Sequence, residues 1–142
     1  MVTKSSPTLF HNDIHRHISQ IVTTRVGTTA SPWLSSFEVG DLHSIAVSHG
    51  EGKFVVSEAM AEELFAAGQV AFQYADMEGC PTTDAPHNPN GSSYGIEGII
   101  SRDGQILGKM GHTERYADNL FKNIDGERCQ NIFENAVSYF TK

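Results

Sequence analysis

A histidine and a carboxylate stand close together in the sequence, at His112 and Glu114. They follow a segment that predicts a strand, and in an extended backbone residues i and i+2 point to the same side. Glu114 can therefore reach the ring of His112, fix its tautomer and leave the other nitrogen free as a general base. The pair provides part of a nucleophile–histidine–acid triad. A chance surface pair is the alternative, because His and Glu are both common at exposed strand ends.

Two polar loops that contain glycine precede this pair. The first has the sequence SHGEG and consists of Ser48, His49, Gly50, Glu51 and Gly52. The second, NPNGS, covers residues 88–92, and an SPWL segment begins further upstream at Ser31. Each motif is common alone, but HGEG, NPNGS and the H-x-E-R box in this order and spacing are jointly specific.

This order of motifs resembles the C-terminal glutaminase domain of phosphoribosylformylglycinamidine synthase, over residues 6–140. That family makes an amidine in purine biosynthesis, with glutamine as the ammonia source and ATP as the driver. The resemblance implies an α/β fold, namely part of a class I glutaminase (flavodoxin-like) three-layer structure with a mixed sheet. It also implies that a cysteine attacks the glutamine amide, that His112 activates this thiolate and protonates the departing ammonia, and that Glu114 orients His112.

One residue of the catalytic box departs from the family pattern. Proline usually stands between the histidine and the glutamate, and Thr113 takes its place here. Because proline would stiffen the turn, we expect a looser pair whose chemistry is retained. Arg115 could pair with a structural carboxylate, and we assign it no chemistry.

The two loops have different expected roles. The family comparison suggests that Ser48, His49, Gly50 and Glu51 contact the α-amino and carboxylate groups of glutamine, through the backbone and the Ser48 or His49 side chain. Glycine permits such close approach, but a tight turn between two strands explains the same residues equally well. For residues 88–92 we favour a loop that shapes the rim of the site, because turns demand Asn and Gly.

Neither of the two cysteines suits the nucleophile's role. A nucleophile elbow needs a donor N–H directly after the thiol, whereas Cys80 lies in a loop and is followed by Pro81, which has no N–H. Cys129 falls on the apolar face of the last predicted helix, where a small buried thiol is ordinary. In the family, the elbow cysteine lies upstream of the segment that this chain resembles.

We therefore expect these residues to be the C-terminal half of a glutaminase domain that is inactive alone. Three explanations for the missing half remain open: a designed boundary, a split gene and a truncated reading frame. The resemblance places ATP and Mg²⁺ in a synthetase portion outside this chain, and it implies glutamine and that portion as partners. The rival hypothesis is a non-catalytic binding or assembly module that kept the fold after losing the nucleophile.

Composition limits the other classes of function. A formal net charge of −7 argues against a nucleic-acid partner, because phosphate binding needs clustered Lys and Arg. No apolar stretch approaches the ~20 residues that span a bilayer, and residues 1–6 lack the apolar core of a signal peptide. Two distant cysteines indicate reduced thiols. We expect one cytoplasmic domain over residues 1–142, without a membrane partner.

Three histidines near the start of the chain, His11, His15 and His17, could suggest a metal site. His11 and His15 could share a helical face. The spacing provides no third ligand of defined geometry, and no cysteine or acid cluster completes a tetrahedral site. We expect no metal.

Periodicity and capping signals predict the elements that must position these residues. Strands are predicted at residues 17–26, 42–47, 53–56, 70–75, 95–101 and 105–110, with a tight hairpin turn at 102–104. Helices are predicted at residues 58–67 and 127–140, with a further helix start at Ser31-Pro32. Two long helices cannot cover both faces of such a sheet. We therefore expect an open edge and apolar face, and self-association, most simply as a symmetric homodimer.

Overall fold

The fold rests on two β-sheets in a computed structural model that describes residues 6–141. The strands are β1 (Thr8–Phe10), β2 (Ile18–Val26), β3 (Leu42–His49), β4 (Lys53–Val55), β5 (Val70–Ala75), β6 (Ile96–Ile100) and β7 (Leu107–Lys109). The helices are α1 (Glu58–Ala66) and α2 (Ile132–Phe140), with 3₁₀ turns at Pro32–Leu34, Ser93–Gly95 and Thr113–Arg115. Five strands form one sheet in the order β3-β2-β5-β6-β7, and β1 pairs with β4 in a smaller one.

Alternating burial explains why β2 and β3 form a strand pair. Val22, Thr24 and Val26 are buried on β2 while their neighbours are more accessible, which is the period-2 pattern of a strand with one covered face. On β3, Ile45 and Val47 repeat that pattern. β5 is buried almost continuously, because it lies inside the sheet between β2 and β6.

Two clusters of apolar side chains hold the helices against the strands. In the larger one, Val26, Leu34, Phe72, Ile100 and Ile132 pack together, which joins the sheet to the first 3₁₀ turn and to α2. The second cluster lies beneath α1 and contains Phe54, Leu64, Val70 and Ile96. The β-rich centre with packed helices is the α/β arrangement that the sequence predicts.

Every strand pairing among residues 6–141 is antiparallel. The parallel pairings of the expected mixed sheet are therefore not found among these strands. The reason is connectivity, since a parallel pair requires a long crossover, usually a helix. No α-helix joins two strands that are neighbours both in the chain and in this five-stranded sheet.

Local signals predicted several elements to within a residue. β5 has the predicted bounds, and α1 ends one residue early, with the Ser57 hydroxyl accepting the N–H of Met60 as its N-cap. β3 extends two residues beyond its predicted end, so that Ser48 and His49 belong to the strand. The predicted helix start at Ser31 is only a 3₁₀ turn, and β1 was not predicted.

The last helix is shorter than predicted. It begins at Ile132 rather than at residue 127, because the Glu127 carboxylate accepts the N–H groups of Arg128 and Cys129 in a non-helical turn. Cys129 therefore does not lie on the helix. Of the predicted apolar face, Ile132 and Ala136 are buried, together with Asn135. Other apolar side chains of α2 stay exposed: Phe133, Val137, Tyr139 and Phe140.

Within residues 6–141, no helix is long and apolar enough to cross a membrane. The interpretation of the chain start as lacking a signal peptide concerns mainly residues 1–5, which lie outside the described residues.

Asn12 ties the segment before β2 to the turn between β3 and β4. Its side chain is fully buried and donates to the carbonyls of Arg16, at 3.0 Å, and His49, at 2.6 Å. Its amide oxygen accepts the N–H of Gly52 at 3.0 Å. One side chain thus satisfies three backbone groups, two at the turn that follows His49 and one in the segment before β2.

Asn12→Ala should lower the free energy of unfolding by about 3 kcal/mol, because buried backbone groups lose their partners. Urea denaturation measures this change. Asn123→Ala, at an exposed position, is the matched control and should change it by less than about 0.5 kcal/mol. Equal effects of the two substitutions would contradict the role assigned to Asn12.

Candidate active site

His112 and Glu114 are in direct contact just after β7. Nδ1 of His112 lies 2.7 Å from Oε1 of Glu114, and the two side chains are 28% and 58% exposed. The i, i+2 contact is present as expected, but the backbone is a 3₁₀ turn over Thr113–Arg115 rather than an extended strand. Among residues 6–141 no other hydrogen bond to the His112 ring is found, so Nε2 is available.

The electrostatics of Glu114 keep it ionised beside the imidazole. Burial raises the pKa of this carboxyl, but the hydrogen bond from His112 and the positive charges of His112 and Arg115 outweigh that effect, so the net pKa is lowered. An ionised acceptor at Nδ1 requires a proton there. The remaining nitrogen, Nε2, is then the basic one in the neutral ring.

The turn that carries this pair is fixed to the sheet and borders a cleft. The backbone N–H of His112 donates to the carbonyl of Ala46 on β3 at 2.8 Å. The cleft has a volume of about 410 Å³, and its lining includes His112 and Glu114 together with the apolar side chains of Trp33 and Phe133. It is large enough for a small polar molecule next to the exposed edge of His112.

His49 lies against His112, at the end of β3. The ring centroids are 6.2 Å apart, and Nδ1 of His49 lies 3.3 Å from the backbone nitrogen of Ser48. Burial, followed by the positive charges of His112, His17 and Arg115, lowers the pKa of His49 to about 4. His49 is therefore neutral at neutral pH and adds no charge beside His112.

The NPNGS loop supports His49 from behind. Asn90 is fully buried, and its Nδ2 lies 2.9 Å from Nε2 of His49 and 3.0 Å from the hydroxyl of Tyr74. Asn88 closes the loop on Ser92 through two hydrogen bonds. A Cβ at Gly52 would collide with the His49 ring and with Asn90, so glycine is required there. The loop shapes the site from within rather than at its rim.

The other residues of the predicted glutamine-binding loop point elsewhere. The Ser48 hydroxyl lies 3.0 Å from Nε2 of His17, and Oε1 of Glu51 lies 3.4 Å from Nδ1 of His11, both at exposed positions. The backbone carbonyl of Gly50 accepts the N–H of Asn12 at 3.0 Å. Of the predicted set, only His49 is brought next to His112, and the binding role of this loop stays a prediction.

Neither cysteine lines the clefts that contain His112. Cys80 is exposed in the turn after β5, where its N–H donates to Asp76 Oδ1 at 2.8 Å. Cys129 donates to Asn131 Oδ1 at 2.9 Å, and burial, followed by the charge of Glu127, raises the pKa of its thiol. A raised pKa disfavours the thiolate that a nucleophile needs.

Two charged residues near the pair were missed by the sequence analysis. Glu97 on β6 and Lys109 on β7 are buried, with side chains 0% and 8% exposed. The available signal was their position, since each interrupts an apolar strand pattern. No group of three histidine, cysteine or acidic residues that could hold a metal is found in the described part of the chain.

The fold and this site define the class of protein. Residues 1–140 match the family model of the CobB/CobQ-like glutamine amidotransferase domain, and the chain belongs to that family. A solved structure with the description "Structure of PurLQS from Thermotoga maritima" has the same fold, with a TM-score of 0.71 at 24% identity, over 95% of this chain and 53% of that one. The predicted class I glutaminase fold is confirmed.

Curated relatives place the chain more narrowly. It is 40% identical over 123 residues to phosphoribosylformylglycinamidine synthase subunit PurQ of Thermomicrobium roseum, covering 84% of this chain and 50% of that protein. The same subunit of Gloeobacter violaceus is 38% identical over 117 residues, covering 82% and 48%. The chain thus spans about half the length of the curated relatives it matches. These identities confirm the resemblance to the glutaminase part of phosphoribosylformylglycinamidine synthase that the motifs indicate.

Replacing His49 should change how stability depends on pH. Its pKa falls from an ordinary value of 6.5 to about 4 on folding, so the unfolded chain binds more protons between these values. Stability should therefore fall as the pH drops through this window, by about 1–2 kcal/mol after allowance for solvent screening. His49→Gln should remove this part of the slope in urea titrations at several pH values.

His15→Asn is the matched control for that experiment. His15 is exposed and has a φ of 52°, a conformation that asparagine tolerates. The control should keep the pH dependence of the parent chain. An identical slope in the His49→Gln variant would show that burial of His49 does not cause it.

Proposed function

We propose that this chain carries the histidine–glutamate part of a cysteine-dependent glutaminase site and supplies ammonia to phosphoribosylformylglycinamidine synthase in purine biosynthesis. The observation that carries the proposal is the 2.7 Å contact between Nδ1 of His112 and Glu114, with Nε2 left available at a cleft. Family membership and the names of the relatives support glutamine as the substrate.

The chemistry follows from the two ring nitrogens of His112. Nε2 accepts the proton of the attacking thiol, and the imidazolium that forms is stabilised by the Glu114 carboxylate at Nδ1. When the C–N bond of the glutamine amide breaks, Nε2 returns the proton to the departing ammonia. Glu114 keeps the ring in one tautomer through both steps.

The thiol in this scheme comes from outside the chain. Pro81 deprives Cys80 of a donor N–H, and the raised pKa of Cys129 opposes thiolate formation. We propose that a nucleophile-bearing portion completes the site at the cleft beside His112. Ammonia then passes to a synthetase portion, in which ATP and Mg²⁺ activate the acceptor amide.

The competing proposal is a binding or assembly module that kept the glutaminase fold without its activity. The half-buried Ser48 and the exposed Glu51 fit this alternative, because their side chains contact His17 and His11 rather than His112. The genomic sequence upstream of the Met1 codon separates the two hypotheses. An in-frame or adjacent G-x-C-x-G elbow favours the enzyme, and its absence favours the module.

The isolated chain should release no glutamate from glutamine above background. The reason is the absence of a suitable thiol among its two cysteines. A coupled glutamate dehydrogenase assay measures the release, with Cys80→Ser and Cys129→Ser as controls. Activity that either substitution abolishes would contradict the proposal.

His112→Ala should separate two activities in a complete enzyme, assembled by joining this chain to the nucleophile-bearing and synthetase portions of a relative. Glutamine-dependent synthesis should fall by about 10²–10⁴-fold, because the general acid–base group is lost. Ammonia-dependent synthesis should persist, which also shows that the variant is folded. His15→Asn should leave both activities unchanged, and equal loss of both activities in His112→Ala would mean that His112 is structural.

We also propose that the chain self-associates as a homodimer through the outer face of α2. Val137 and Phe140 are 61% and 54% exposed, one turn apart on this helix, and they form an apolar surface that association would cover. Sedimentation at micromolar concentration should detect a dimer, and Val137→Glu should shift it to monomer. Glu62→Gln on the exposed side of α1 is the control, and a monomeric parent chain would contradict the proposal.

A further inference from the structure

A buried polar network surrounds the turn that carries His112. Its members are Glu97 on β6, Lys109 at the end of β7, Thr113 within the turn and Gln130 just before α2. Glu97, Thr113 and Gln130 are only 2%, 7% and 3% exposed. Buried charged and polar groups are costly unless they are paired, so this cluster needs an explanation.

On one side of His112, the network holds Gly111. The N–H of Gly111 donates a hydrogen bond to Oε1 of Glu97. A Cβ at Gly111 would lie 2.7 Å from that oxygen and 3.2 Å from Nζ of Lys109. Glycine at this position therefore allows the carboxylate and the ammonium to close directly on the backbone that precedes His112.

On the other side of His112, the network holds Thr113. Nζ of Lys109 donates to the Thr113 hydroxyl at 2.9 Å and to Oε1 of Gln130 at 2.8 Å. The Thr113 hydroxyl in turn donates to the same Gln130 oxygen at 2.8 Å. The residue that follows His112 is thereby anchored to the segment before α2.

Lys109 joins the two sides of the network. Its Nζ lies 3.8 Å from Oε1 of Glu97 and 4.9 Å from the centre of the Phe72 ring. Burial lowers the pKa of Lys109, and the charges of Glu97 and Glu114 offset only part of this effect. The Lys109 side chain thus links the anchors on both sides of the histidine.

We propose that Glu97, Lys109 and Gln130 are positioning residues for His112, which they hold through its two chain neighbours, Gly111 and Thr113. None of the three forms a hydrogen bond with the His112 ring in the described part of the chain. The hydroxyl of Thr113 provides this restraint at the position where the family usually has proline. The catalytic reason for positioning His112 rests on the proposed function, but the effect of the network on His112 does not.

The tautomer of His112 measures the positioning directly. Long-range ¹H–¹⁵N NMR spectra of the labelled chain at about pH 8 distinguish a protonated Nδ1 from a protonated Nε2, and His112→Gln assigns the signals. The parent chain should have Nδ1 protonated against Glu114. Thr113→Val removes the hydroxyl at nearly constant volume and should lower the Nδ1–H fraction at least about two-fold.

Thr113→Ser is the matched control, because it keeps the hydroxyl and should keep the parent tautomer. Lys109→Met should resemble Thr113→Val. If Lys109→Met does not fold, the Val and Ser variants decide the question alone. A lower melting temperature in Thr113→Val with an unchanged tautomer would overturn the proposal, since the network would then be only structural.

The same variants separate this inference from the proposed function. The tautomer is read in the chain without glutamine, so it does not depend on amidotransferase activity. In the complete enzyme, Thr113→Val should lower glutamine-dependent synthesis about 10-fold while ammonia-dependent synthesis persists. A changed tautomer without any effect on the glutamine-dependent rate would support the positioning and contradict the glutaminase assignment.

Discussion

The hydrogen bond between Nδ1 of His112 and Glu114 is the interaction on which the rest of this account depends. It is short, at 2.7 Å, but Glu114 is 58% exposed. An exposed ion pair contributes only about 0–1 kcal/mol, which cannot by itself hold two side chains in one geometry. The geometry must therefore be imposed by the backbone of the turn, and the turn must be held by the sheet.

Buried polar groups provide that support at two places. Behind His49, Asn90 contacts a neutral ring next to His112, and Asn90 is itself bonded to the hydroxyl of Tyr74. Around the turn, Lys109 and Glu97 anchor both chain neighbours of His112. Removing one partner of a buried pair costs about 3–5 kcal/mol, whereas replacing both with apolar residues is often neutral. Stability alone does not account for such a pair, but the positioning of His112 does.

Features set by local chemistry could be predicted from the sequence. α1 follows from the Ser57 cap and β5 from its run of apolar and aromatic residues. The i, i+2 spacing predicted the His112–Glu114 contact, although a 3₁₀ turn provides it rather than the extended backbone expected. Features set by distant partners could not. Gln130 accepts a hydrogen bond from Lys109 and lies in the non-helical segment before α2, which begins later than predicted. The contact between Lys109 and Glu97 likewise could not be predicted, because the two residues lie on different strands.

The central claim is that His112 serves a cysteine from outside this chain. The most direct test is a crystal structure of the complete enzyme that contains this chain. The account predicts the nucleophilic Sγ within about 3–4 Å of Nε2 of His112, with Nδ1 still bonded to Glu114. A sulfur that lies nearer to another base, or an Nε2 occupied by a structural hydrogen bond, would contradict it.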